Sequence, residues 1–249
     1  MSEEVGSTNT TRRRFLQKAR TATAVAVLAP GFRLVDLALA RPEGEPASEA
    51  VRWGMLIDTS KCATDCDACV TACNEEHGLT ETGRPQSDAQ WIRKIDRRDK
   101  STQMVSSLPM MCQHCEDPPC VDVCPTGASF KRADGVVLVD KHTCIGCRYC
   151  MMACPYKARS FVHEALKPQV SYSPRGKGTV ESCTFCVHRI DNAGTPACVE
   201  SCGEAGNGAM MFGDLNNSKS EISVRLKKMA TGQIRSDLKL NTAVRYSKL

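Results

Sequence analysis

With 249 residues the chain is long enough for one or two compact domains, yet only 5% of it is aromatic and 16 residues are cysteine. A chain so poor in large apolar side chains needs covalent staples or metals in its core. The formal charge of +5 does not indicate a nucleic-acid partner: residues 1–40 hold six Lys or Arg and three Asp or Glu, leaving +2 for the rest.

The N-terminus carries Thr11-Arg12-Arg13-Arg14-Phe15-Leu16, a modest apolar run from Thr21 to Pro30, and the small-x-small site Ala38-Leu39-Ala40. This order of segments predicts a twin-arginine export signal over 1–40, with a mature chain starting at Arg41 in the periplasm. A basic tail on a cytoplasmic protein is the alternative. The apolar run is too short to span a bilayer. Residues 41–50 read as a polar linker, and Val51–Asp58 as a strand that feeds the first cysteine group, Cys62, Cys66, Cys69 and Cys73.

Between Gly78 and Pro109 lies an insertion, where the alternation of Trp91, Arg93 and Ile95 predicts a strand and Thr102–Leu108 a further segment of a small sheet. The second group is Cys112, Cys115, Cys120 and Cys124, closed by Pro125. A hairpin follows, Ser129–Arg132 and Val136–Val139 around Ala133-Asp134-Gly135. The third group is Cys144, Cys147, Cys150 and Cys154, closed by Pro155. Cysteines spaced by two, two and three residues before a proline form the bacterial ferredoxin run that wraps a cubane iron–sulfur cluster. Ala158–Val162 is expected to return as a strand, and 168–180 to form a loop. The fourth group is Cys183, Cys186, Cys198 and Cys202, and 216–249 reads as a polar tail without a membrane span.

Four groups of four account for every cysteine. In two-cluster ferredoxins the last cysteine of one run ligates the other cluster. Applied to the inner groups (109–165), one cluster takes Cys112, Cys115, Cys120 and Cys154, and its neighbour Cys144, Cys147, Cys150 and Cys124. The outer groups (51–80 with 180–205) pair likewise: Cys62, Cys66, Cys69 and Cys202 for one cluster, Cys183, Cys186, Cys198 and Cys73 for the other. The expected fold over 51–215 is therefore α+β, two interleaved two-cluster ferredoxin-like modules with an inserted loop region, and the cofactors are four [4Fe–4S] clusters. Each cluster with its thiolates carries roughly −2 when oxidised, so the loaded protein is expected to be net acidic. Disulfides do not demand quartets of this periodicity. Structural zinc prefers two CxxC pairs per site, which at most the fourth group resembles. A three-iron cluster would need a missing ligand, and none is missing.

The stretches Cys112-Gln113-His114-Cys115-Glu116-Asp117-Pro118-Pro119-Cys120, Cys144-Ile145-Gly146-Cys147-Arg148-Tyr149-Cys150 and Cys154-Pro155-Tyr156 resemble the electron-transfer subunits of molybdopterin oxidoreductases such as dimethyl sulfoxide reductase and polysulfide reductase, and of the formate-dependent nitrite reductase system. The resemblance extends from about Val51 to Phe212 and agrees with the crossed ligation. With the export signal and the Cys-x3-Cys opening, Ala72-Cys73-Asn74-Glu75-Glu76-His77-Gly78-Leu79 looks most like the DsrO branch, exported subunits of the membrane complex linked to dissimilatory sulfite reduction. That branch implies an integral quinone-interacting subunit and a multi-haem c-type cytochrome as partners. A nitrite-reductase-type subunit and a free ferredoxin-like carrier are the alternatives.

Outside the cysteines, Lys131, Arg132, Arg148, Lys157 and Arg159 gather around the inner groups. They read either as charges that raise cluster potentials or as solvated surface and partner contacts. His114 reads as a hydrogen-bonding neighbour rather than a ligand, and Met110-Met111 and Met151-Met152 as packing against irregular inorganic surfaces. No Ser/His/Asp set, phosphate-cradling loop or paired carboxylates are present, which predicts no catalytic residues and an electron-transfer role.

Overall fold

The structure is a computed structural model that describes residues 45–80, 82–103, 105–167 and 169–248. The expected export signal, its cleavage at Arg41 and the first part of the linker lie outside the described residues.

The chain is organised around a four-stranded sheet of order β8-β1-β10-β9. Its centre is β1 (Trp53–Asp58), whose consecutive buried residues Gly54, Met55, Leu56 and Ile57 mark a strand covered on both faces. β8 (Met210–Asp214) pairs antiparallel with it, and β10 (Val244–Ser247) runs parallel to it with Met55 opposite Val244. β9 (Thr231–Gly232) closes the far edge on β10.

Residues 216–249, expected as a polar tail, are instead part of the fold. Helix α6 (Glu221–Lys228) is capped by the Ser220 side chain, which accepts from the Ser223 amide, and Arg225, Lys227 and Lys228 occupy its last turn. It packs on β8 and β1 through the buried Ile222. Val244 and Tyr246 of β10 are fully buried. The tail escapes notice because its apolar residues are few, and Ile222, Val244 and Tyr246 among them carry its packing.

The insertion forms one hairpin, β2 (Arg93–Arg98) with β3 (Val105–Met110). The strand register differs from the expected alternation: Trp91 and Ile92 are buried ahead of the strand, while Ile95 within it is exposed. The Asp-Gly hairpin forms as β4 (Ser129–Lys131) and β5 (Val137–Val139), with Gly135 at φ 85°. The strand expected over Ala158–Val162 is reduced to β6 (Ser160–Phe161), paired with β7 (Val180–Glu181).

Short helices carry or directly follow cysteines of each group. They are α1 (Ala68–His77), α2 (Pro119–Asp122), α3 (Tyr149–Ala153), α4 (Val187–Ile190) and α5 (Ala197–Glu204). α1 packs against α5, and α2 against α3, so the first group meets the fourth and the second meets the third. Eight residues of the main buried apolar cluster are cysteines.

Candidate iron–sulfur centres

In the second, third and fourth groups a CxxC loop turns at the same position. His114, Gly146 and Phe185, each the residue before the second cysteine, have φ of 42°, 69° and 53°. A left-handed residue there curls the loop so that both thiols face inward. Glycine suits the position, and at Gly146 a β-carbon would meet the Gly178 carbonyl oxygen, so only glycine fits. In the first group the extra residue replaces this device: none of residues 63–65 has a positive φ.

The loops bring the cysteines of different groups together. Cys112, Cys115, Cys120 and Cys154 line one hollow, with Pro119, Tyr156 and Arg159. Cys124, Cys144, Cys147 and Cys150 line another. Cys62, Cys66, Cys69 and Cys202 line a third. Cys73, Cys183, Cys186 and Cys198 are all buried and lie close enough for their charges to act on one another. Among the described residues no three Cys, His, Asp or Glu converge on one point as a single metal ion requires.

The donor chemistry fits a cluster with thiolate ligands. Burial, followed by neighbouring thiols, pushes Cys69 and Cys112 up to about 12, so an ionised sulfur there needs a bound cation. The closing cysteine of three groups already accepts a backbone N–H: Ser129 to Cys124 at 3.3 Å, Ala158 to Cys154 at 3.5 Å and Ala209 to Cys202 at 3.2 Å. Val180 N–H likewise points at Cys144 Sγ at 3.5 Å. Such bonds favour thiolate and tune cluster potentials. All sixteen thiols are unpaired by disulfides.

Residues that the sequence reading did not single out hold the loops in place. Lys94 Nζ, on β2, donates to the carbonyls of Ala63 (3.0 Å), Thr64 (2.9 Å) and Cys66 (2.6 Å), tying down the wide first loop. Glu76 on α1 accepts from His188 Nε2 (2.6 Å) and from Arg189 Nε and Nη2 (2.9 and 2.7 Å), fastening the first group to the fourth. The Arg189 bonds, opposed by burial and aided by His188, hold the Glu76 carboxyl down at about 2. Buried Arg175 and Glu181 form a bidentate pair at 2.7–3.2 Å beside the third-group loop. Behind the second group, Glu116 N–H donates to the Leu240 carbonyl and Ala243 N–H to the Gln113 carbonyl.

The histidines act as expected of hydrogen-bonding neighbours. His114 Nδ1 accepts from Val137 N–H at 3.0 Å, and its ring lies 3.7 Å from that of Phe185. This contact joins a second-group loop to a fourth-group loop. His77 places Nε2 3.4 Å from Cys186 Sγ, and burial takes it down to about 3, so it is neutral. Met110 and Met111 are buried, whereas Met152 is 74% exposed. The five basic residues near the inner groups part company. Lys131 pairs with Glu116, Arg132 with Asp134 and Asp191, and Arg148 lies over the Phe161 ring at 4.8 Å. Lys157 is exposed. Arg159 is buried and donates to Cys120 Sγ at 3.1 Å.

Comparison with known proteins agrees with iron–sulfur chemistry. Residues 103–215 match the model of the 4Fe–4S dicluster domain. The chain is 41% identical to the Hdr-like menaquinol oxidoreductase iron–sulfur subunit 1 of Archaeoglobus fulgidus, over 96% of this chain and 98% of that one. It belongs to the dimethyl sulfoxide reductase-type family of iron–sulfur subunits. Within this family it is 39% identical to the protein NrfC of Escherichia coli, over 73% of this chain and 74% of the relative. It is also 38% identical to the iron–sulfur cluster-binding subunit of menaquinone reductase from Nitratidesulfovibrio vulgaris, over 69% and 79%. The subunit thus transfers electrons within an oxidoreductase complex and is not its catalytic subunit. Its cofactors are [4Fe–4S] clusters.

Proposed function

We propose that the subunit relays single electrons through four [4Fe–4S] clusters, held by the four crossed quartets in two interleaved ferredoxin-like modules. The convergence of cysteines from different groups carries this reading: Cys154 lies with Cys112, Cys115 and Cys120 rather than with its own run. A bound cluster supplies one-electron chemistry, and the chain orders, buries and hydrogen-bonds the ligating sulfurs. The contacts between quartets give the order of the wire. Cys69 acts on Cys198, His114 stacks on Phe185, and Cys120 acts on Cys150. The path then runs from the Cys62 quartet through the Cys73 and Cys112 quartets to the Cys144 quartet. Its two middle sites are wholly buried, whereas Cys147 at one end is exposed and Cys62 and Cys66 at the other are half-buried, as exchange with two partners requires.

The names of the relatives, two of which specify menaquinol or menaquinone, support a place in a membrane complex that exchanges electrons with the quinone pool. Among the described residues no helix is long and apolar enough to cross a membrane, so an integral quinone-interacting subunit is the expected anchor. The twin-arginine motif supports the outer face of the membrane, and the DsrO-like stretch a multi-haem c-type cytochrome partner and a role in dissimilatory sulfur metabolism. Anaerobically purified subunit is expected to hold about sixteen iron atoms per chain, and zinc with little iron would overturn the assignment. Cys154→Ser is expected to abolish the paramagnetic signal that Cys115→Ser abolishes, not the one lost in Cys147→Ser. Gentle solubilisation of the membrane should yield the subunit together with a cytochrome and a multi-span protein.

A further inference from the structure

We infer that Arg159 bridges the two inner clusters and raises the reduction potential of both, an inference that rests on the four-cluster reading. The guanidinium is 5% exposed, and among the described residues no carboxylate lies within ion-pair distance of it. Arginine stays protonated in proteins, so this is a buried charge, which costs several kcal/mol unless it meets an opposite one. The groups around it are thiols of two quartets. Nη2 donates to Cys120 Sγ at 3.1 Å, while the guanidinium also acts on Cys112 of the same quartet and on Cys150 of the other. Its Nε and Nη1 are buried with no hydrogen-bond partner among the described residues.

Those two orphaned donors are the second observation. Leaving a buried N–H of a charged group unbonded is expensive, and the side chain lines the hollow of the Cys112 quartet where Cys120 and Cys150 of the two quartets share one buried cluster. Helices α2 and α3 pack together here, and Cys120, Cys150, Val137 and Val180 form one buried cluster beside it, so water is excluded. Two loaded quartets would each add roughly two negative charges, rising to three on reduction. A fixed positive charge between them favours the reduced state of each, and one electron passing across feels the same charge on both sides. Lys131 and Arg132 nearby are already neutralised by carboxylates, Lys157 is exposed, and Arg148 lies over the Phe161 ring and lines the hollow of the Cys144 quartet alone.

The test is a paramagnetic redox titration of the full chain, assembled anaerobically, with the inner signals assigned by their loss in Cys115→Ser and Cys147→Ser. In Arg159→Gln both inner potentials are expected to fall by about a tenfold change in the one-electron equilibrium, which is about 59 mV each. The outer pair should not move, and iron content should stay at the wild-type level. Arg159→Lys keeps a charge but loses the planar fork that reaches both sides, so at least one inner potential is expected to fall while the other stays nearer wild type. If neither inner potential moves in Arg159→Gln, or if both stay at wild type in Arg159→Lys, the bridge is refuted although the clusters stand. A wild-type chain without iron or paramagnetic signals would instead defeat the four-cluster reading itself.

Discussion

Glu76 shows how a single side chain outside the ligand set can govern assembly. It sits on α1 three residues after Cys73 and receives hydrogen bonds from His188 and Arg189, which flank the fourth group. Its carboxyl is held at about 2, below the usual 4.5, first by Arg189. A lowered carboxyl contributes stability that is complete above about pH 4.5 and is lost as the pH falls towards 2. Glu76→Gln is therefore expected to cost on the order of 1–3 kcal/mol at neutral pH, seen as a drop of several degrees in the thermal midpoint. An unchanged midpoint would mean that the bonds add nothing net to the fold. The cysteine groups proposed as ligands stand out in the sequence, because cluster geometry imposes short spacings that local reading can detect. Glu76 and Arg189 were not, since they lie 113 residues apart and nothing local predicts their meeting. Lys94 was equally hidden: its role depends on three carbonyls 28 to 31 residues earlier in the chain.

Among the elements, β10 contradicts the reading of a loose tail most plainly. Its four residues are short for a strand, and only Val244 and Tyr246 announce alternation, so composition alone argues for a solvated segment. Its stability comes from partners. Val244 is fully buried against β1, and the Tyr246 hydroxyl donates to the Pro109 carbonyl at 3.0 Å while accepting from Gln113 Nε2 at 3.1 Å. The segment just before it bonds the backbone of the Cys112–Cys115 loop. A chain stopped after Leu240 is thus expected to lose the centre of its sheet and the support of its second-group loop together. Iron content should fall below that of the full chain, with the Cys112-quartet signal lost first. Retention of all four signals would show that β10 is dispensable to the sites. The Asp-Gly hairpin and β1 were read correctly because turn chemistry and a buried apolar run are local signals. The frame shift in β2 was not readable, since Trp91 packs on His77 of α1, a contact no local pattern encodes.

At the scale of the molecule, cofactor and core are one thing. Eight cysteines belong to the main buried cluster, and the chain has few aromatic residues to replace what the cysteines would hold. Metal-binding free energy then becomes folding free energy. Stripping iron with a chelator is expected to abolish visible absorbance and ordered far-ultraviolet dichroism in step, and persistence of secondary structure after complete iron loss would contradict this. The mixed helix and strand content was legible from the strand, turn and cysteine-loop signals, and the nesting proposed for the inner and outer groups rests on cysteine order. How the inner and outer pairs join was not, because the His114–Phe185 contact depends on two loops whose meeting no spacing encodes.

The parallel pairing of β1 with β10 has a consequence for how the protein is made. Met55 leaves the ribosome 189 residues before Val244, its eventual neighbour. Throughout that interval one side of an apolar strand has unpaired amide and carbonyl groups, a template for association with other nascent chains. Contacts so distant in sequence also form slowly. The edge of Trp53–Asp58 that pairs with β10 therefore stays open until synthesis reaches Val244.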